Sequence, residues 1–117
     1  MVGTEKPKDL VKFYEKVLEK EAKWEGEVWG NFKIGHTYLS IGFHSEVKAK
    51  AKQPQRIILN FESEDVKEDF ERIKKIEGAE VIKEPYAPIG AQEFLIATFA
   101  DPDGNYFQLM SPWNDKM

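Results

Sequence analysis

Two histidines, together with amides, hydroxyls and aromatic rings at alternating positions, are the side chains of this chain that could do chemistry. There is no cysteine, which removes disulfides, thiolate metal sites and a cysteine nucleophile. His36 and His44 lie on one face of a segment that reads as a strand. Eight residues of continuous strand would hold them about 26 Å apart, so they cannot share a metal. His36 falls in the turn before the strand and His44 at its exit, which suits a rim position for both. His36 is the one placed to act as an acid, a base or a ligand contact. No Ser-His-Asp order, glycine-rich phosphate loop or Walker-type motif is present. The remaining candidates are Tyr38, Ser40, Ile58, Asn60, Tyr106, Gln108 and Met110, which alternate with apolar residues and so share strand faces. With Thr98 or its neighbours they form a mixed aromatic, amide and hydroxyl lining, the kind that orients a small organic molecule. The other reading of the same residues is a packed interior or a seam between subunits. Trp24, Trp29 and Trp113 divide in the same way between packing and ligand stacking, with Trp29 beside the candidate strands.

The elements that must position these groups follow from two periodicities. Leu10, Phe13, Tyr14, Val17 and Leu18 have the spacing of one apolar helix stripe. Pro7 suits the first helical position and Asp9 the positively polarised first turn. A second helix opens at Ser63 or Asp65, turns Val66, Phe70 and Ile73 inward, and stops at Gly78. Between and after the helices the period is two. Leu39, Ile41 and Phe43 alternate with Tyr38, Ser40, Gly42 and His44; Ile57, Leu59 and Phe61 alternate with Ile58, Asn60 and Glu62; Phe107 and Leu109 alternate with Tyr106, Gln108 and Met110. Weaker strand signals run over 23–27, 28–33, 80–83 and 94–100. The run Asp101-Pro102-Asp103-Gly104-Asn105 is a turn in which Pro pre-sets φ and Gly and Asn tolerate positive φ. The facing of Glu27, Glu62 and Glu93 stays open at this level.

Composition bounds the possibilities. At 117 residues and 13.6 kDa the chain is expected to form one domain, and 41% hydrophobic with 32% charged residues is ordinary for a globular protein. Its longest apolar run, Phe94-Leu95-Ile96-Ala97, is far short of the roughly 20 residues of a membrane span. The start of the chain does not resemble a signal peptide, so a cytoplasmic location is expected. The net charge of −4 with interspersed signs argues against nucleic acid as a partner. Lys48, Lys50 and Lys52 read as a solvated linker.

The two halves repeat. Tyr38-Leu39-Ser40-Ile41 superposes by hydropathy on Tyr106-Phe107-Gln108-Leu109, and Asp9-Leu10 with Tyr14 on Asp65-Val66 with Phe70. Each unit reads as strand, helix and three strands. A longer loop over 85–92 accounts for the different offsets. The first unit has room for little of its opening strand. These residues resemble a known family. The run from Ala97 to Leu109, with Asp-Pro-Asp-Gly-Asn at its centre, resembles the signature ending of the vicinal oxygen chelate superfamily. That superfamily includes glyoxalase I, bleomycin-resistance proteins and extradiol dioxygenases. Phe13-Tyr14-Glu15-Lys16-Val17-Leu18 resembles its first-helix motif, and Leu59-Asn60-Phe61-Glu62 before Asp65-Val66 the start of its second module. The resemblance spans about residues 5–113.

It implies an α+β fold of two βαβββ modules, forming a curved mixed sheet around a central cup, with the first module lacking most of its opening strand. Module one would cover about 1–44, a linker 45–55 and module two 56–113, all within a single domain, 1–117. Family enzymes hold a divalent metal with His, Gln or Glu from the first and last strands of each module. Carried over, those positions fall at Ser40, Ile58 and Gln108, and the first module's opening ligand has no counterpart. A lone neutral amide does not retain a metal. The expectation is therefore a protein without cofactor that binds a small organic molecule in the cup, for sequestration or sensing. The bleomycin-resistance branch, with its aromatic, metal-free cup for a flat, cationic drug, is the nearest analogue. Two alternatives stand beside it: a Zn, Ni, Fe or Mn-dependent lyase, isomerase or dioxygenase, and a structural module whose cup is self-filled. A homodimer is expected, because a missing opening strand would leave the neighbouring strand's edge bare.

Overall fold

Pro7 opens the first helix and a left-handed residue closes it. In the computed structural model, which describes residues 1–88 and 93–112, α1 spans Pro7–Leu18. Lys6 N–H donates to Thr4 Oγ1 at 3.0 Å just ahead of it. At its end Glu19 takes φ 53°, Lys20 N–H donates to Glu15 O and Ala22 N–H to the Glu15 carboxylate, so Glu15 ties down the chain that leaves the helix. The second helix, α2 (Val66–Ile73), begins at an Asp65 cap whose Oδ1 accepts from Glu68 N–H at 3.0 Å.

Eight strands accompany the helices among the described residues: β1 Val2–Thr4, β2 Lys23–Glu25, β3 Trp29–Ile34, β4 Thr37–Phe43, β5 Leu59–Glu62, β6 Glu80–Tyr86, β7 Ile96–Ala100 and β8 Tyr106–Met110. The chain separates into two compact units, Met1–Lys50 and Ala51–Met117, each with one mixed four-stranded sheet. The strand orders are β1-β4-β3-β2 and β5-β8-β7-β6, the same arrangement twice. In each unit the opening strand runs parallel to the closing one, and the remaining pairs are antiparallel. The sequence repeat is thus a repeat of topology. No described helix is long and apolar enough to cross a membrane.

In the first unit α1 buries Leu10, Val11, Phe13, Tyr14 and Val17 over Phe32 and Ile41. Gly30 lets it approach closely, since a Cβ there would fall 2.7 Å from a Val11 methyl. In the second unit α2 sets Val66, Phe70 and Ile73 on Phe99, Phe107 and Leu109. Phe99 and Phe107 stack at 5.3 Å, and Phe70 lies 5.3 Å from Phe99. Each such side chain contributes about 1.5–3 kcal/mol by leaving water, so these stripes hold one face of each sheet against its helix. The other face is left for function.

The structure corrects several sequence-based expectations. The opening strand of the first module, expected to be mostly lacking, is present in short form: Val2, Gly3 and Thr4 pair with Ile41, Gly42 and Phe43, and Thr4 is fully buried. The strand has three residues against four in β5, too few for a periodic signal. The edge of β4 is therefore covered, which removes the argument that a bare edge there demands a second subunit. Ile57 and Ile58 precede β5 rather than belonging to it. Ile57 ends a short 3-10 turn and is 78% exposed, and Phe43 at the end of β4 is 45% exposed, so neither packs beneath a helix. The second helix stops five residues before Gly78. Tighter bonds from Lys75 to Arg72 and Ile76 to Ile73 replace its last turn, and Gly78 takes φ 98° beyond them.

Candidate ligand-binding faces

Strand parity assigns the helix-free face of each sheet. Gly30 meets Val11 of α1, so its neighbours Trp29 and Asn31 point away from the helix. Register places them beside Gly42 and Ser40 on β4, and beside Glu25 and Lys23 on β2. Trp29 is half-buried and its indole occupies the space above Gly42, where a Cβ would fall 2.7–2.9 Å from ring atoms. Ser40 is half-buried, and its hydroxyl donates to Asn31 Oδ1 at 2.6 Å. The Asn31 amide nitrogen donates in turn to Glu25 Oε1 at 3.1 Å and to Lys23 O at 3.3 Å. Tyr38 shares the face opposite Lys33 and is 65% exposed. His36 is exposed in the β3–β4 turn.

The second module repeats the plan with different groups. Across its sheet the register lines up Asn60, Gln108, Thr98 and Lys83, one from each strand. The Gln108 amide nitrogen donates to Thr98 Oγ1 at 3.0 Å. Thr98 is buried, Gln108 half-buried and Asn60 exposed. Met110 is half-buried between Glu62 and Ile96, and Tyr106 is half-buried opposite Ala100. Lys83 holds its ammonium 5.3 Å from the centre of the Tyr86 ring. Ile58 is half-buried just outside β5, and Trp113 lies outside the described residues. Glu27, Glu62 and Glu93 are all exposed.

Within a module, then, the structure groups Trp29, Ser40 and Tyr38 on one face, and Asn60, Gln108, Tyr106 and Met110 on another. It also adds residues that sequence reasoning missed: Asn31, Glu25, Lys23 and Lys83. The parity of the weak strand over 28–33 would have put Asn31 on the same face as Trp29. The Asp101–Asn105 turn, by contrast, is architectural. Asp101 Oδ1 accepts from the backbone N–H of Asp103 and Asn105 at 2.9 and 3.0 Å, and Gly104 takes φ 80°. That turn fixes how β8 leaves β7.

The positions that the family resemblance gives to metal ligands do not suit a divalent ion. Ile58 has no donor atom. Ser40 offers only a neutral hydroxyl, which donates to Asn31, and Gln108 only a neutral amide oxygen, its nitrogen donating to Thr98. Among the described residues no three His, Asp or Glu side chains come together, whereas such ions need several imidazole or carboxylate ligands at once.

Comparison with known proteins agrees with the topology. Residues 1–110 match the family model of the glyoxalase-like domain. Solved structures with the same fold include a glyoxalase/bleomycin resistance protein from Albidiferax ferrireducens T118 (TM-score 0.76, 16% identity, 97% of this chain and 95% of that one). A glyoxalase/bleomycin resistance protein/dioxygenase family enzyme from Burkholderia phytofirmans PsJN is similar (0.73, 20%, 94% and 93%). So is the fosfomycin resistance protein FosX from Mesorhizobium loti (0.70, 17%, 98% and 90%). No curated protein matches the chain. At such identities the neighbours establish the fold, and fold alone does not assign an activity.

Proposed function

The chain belongs to the glyoxalase-like domain family, within the vicinal oxygen chelate superfamily, and from that premise we propose that it binds a small organic molecule without a resident metal. The carrying observation is the state of the two closing strands. Ser40 and Gln108 stand at equivalent places on the helix-free faces, and both are tied into neutral cross-strand hydrogen bonds. Around them lie Trp29, Tyr38, Asn60, Tyr106 and Met110, which offer ring faces and polar edges. Such surfaces recognise and orient a ligand. They supply neither a nucleophile with its base nor a paired acid and base. Sequestration or sensing follows more readily from this chemistry than turnover does.

Elemental analysis with a chelator melt separates this reading from a metal-dependent enzyme of the same fold. A metal bound to the native state raises its stability by mass action. The expected result is no stoichiometric Zn, Ni, Fe or Mn in the purified protein and an unchanged melting temperature in EDTA. About one metal per chain, with a clear fall in melting temperature on chelation, would replace this reading with the enzymatic one.

A further inference from the structure

We propose that the helix-free face of the first module selects ligands carrying a hydrogen-bond donor, because Asn31 locks Ser40 as an acceptor. This rests on the reading that the face binds a small molecule and adds the chemistry which that molecule must present. The wiring can be deduced from the groups that have no choice. The Lys23 carbonyl and the Glu25 carboxylate only accept hydrogen bonds. Both lie within reach of one Asn31 amide atom, at 3.3 and 3.1 Å, so that atom must be the nitrogen. Asn31 Oδ1 is thereby turned toward β4, where Ser40 Oγ lies 2.6 Å away. An amide oxygen cannot donate, so the single hydroxyl proton of Ser40 is committed to Asn31. Ser40 retains only lone pairs for anything that approaches the face.

Charge does not decide the preference here, because Lys23 and Glu25 share the same face. The direction of the hydrogen bonds does. The lock belongs to the first module: at the equivalent place in the second, Gln108 donates one amide N–H to Thr98 Oγ1 and keeps its other N–H and its oxygen, so it can both donate and accept. A ligand seated on Ser40 must therefore bring an amine, amidine, amide N–H or hydroxyl. A carboxylate or ketone of the same shape would place one acceptor against another. Asn31 is in this account a positioning residue, acting through Ser40.

Two shape-matched probe pairs test the idea on the full-length, 15N-labelled chain: benzamidine with benzoate, and 1-phenylethanol with acetophenone. The amide resonances of Ser40 and Asn31 and the Trp29 indole report binding. The donor member of each pair should bind about five- to tenfold more tightly, the effect of roughly one hydrogen bond. Asn31→Leu frees the Ser40 proton and should bring the ratio close to one, as should Ser40→Ala, whereas Ser40→Thr should preserve it. A purely structural role for Asn31 would weaken both members alike and leave the ratio unmoved. If Asn31→Leu loses its dispersed spectrum, the Ser40 variants decide. Equal affinities in the wild type, or a ratio unchanged by Ser40→Ala, would overturn the acceptor lock while the small-molecule reading stands. No response at this face to any of the four probes would overturn the lock and count against that reading as well.

Discussion

Gly42 lacks a side chain at the place where the Trp29 indole lies, and this shapes the candidate face more than any single polar contact. A methyl at that Cα would fall 2.7 Å from Trp29 Cδ2, inside van der Waals contact with a rigid ring and no flexible end to give way. Gly42→Ala should lift the indole off β4 and destabilise the protein by about 1–3 kcal/mol, the usual cost of overpacking. Urea denaturation measures the cost, and the Trp29 indole N–H resonance reports the ring. An unshifted resonance with unchanged stability would mean that the ring does not rest on Gly42. Asn31 completes the same face from the next row of the sheet. Its amide uses both ends within the protein, toward Ser40 on one side and toward Lys23 and Glu25 on the other, so its value to a ligand lies in what it fixes.

At the level of elements, the Asp101–Asn105 turn sets the geometry of β7 and β8, on which Thr98 and Gln108 stand. Asp101 is 4% exposed and accepts two backbone N–H groups as well as the Asn105 amide. Removing a buried acceptor strands its donors, at about 1–3 kcal/mol. Asp101→Ala should therefore cost about 2–3 kcal/mol by urea denaturation and broaden the Gln108 resonances, and a cost below about 0.5 kcal/mol would contradict the assignment. This turn was legible in the sequence because each of its residues has a local reason to be there. So was α1, whose apolar stripe and opening Pro7 mark both its ends. What escaped were elements defined by partners rather than by pattern. Three residues of β1 cannot display alternation, and only pairing with β4 makes them a strand. The strand signal of β6 stops at Lys83 and the sequence from Pro85 reads as loop, yet charges and a proline, as in Lys83-Glu84-Pro85, are features that protect an edge strand from pairing with other chains. Ile57 carries the right hydropathy for a strand, but the preceding turn, Pro54–Arg56, leaves it facing solvent. The candidate face was half legible. Parity along β4 and β8 found Ser40 and Gln108, and parity over 28–33 reaches Asn31, while Glu25 and Lys83 required the cross-strand register.

For the whole molecule, the duplicated topology yields two helix-free faces, one in each unit, with equivalent positions and different chemistry. Assembly remains a proposal: we keep the homodimer as one because most soluble oligomers are symmetric dimers with a self-complementary patch. Light scattering at micromolar concentration should then give twice the 13.6 kDa chain mass, and a value of 13.6 kDa with a sharp melting transition would contradict it. The central claim, that face residues themselves bind a small organic molecule, is tested most directly by mapping the chemical shifts that a set of aromatic fragments induces in the labelled protein. The account predicts that the shifts gather at Trp29, Ser40, Tyr106 and Gln108. It predicts further that Tyr106→Ala or Gln108→Ala abolishes binding of the best fragment seated on the second module's face, while Lys48→Ala and Lys50→Ala leave it intact. Shifts confined to the helices or the linker lysines, with both face variants binding as well as the wild type, would contradict it.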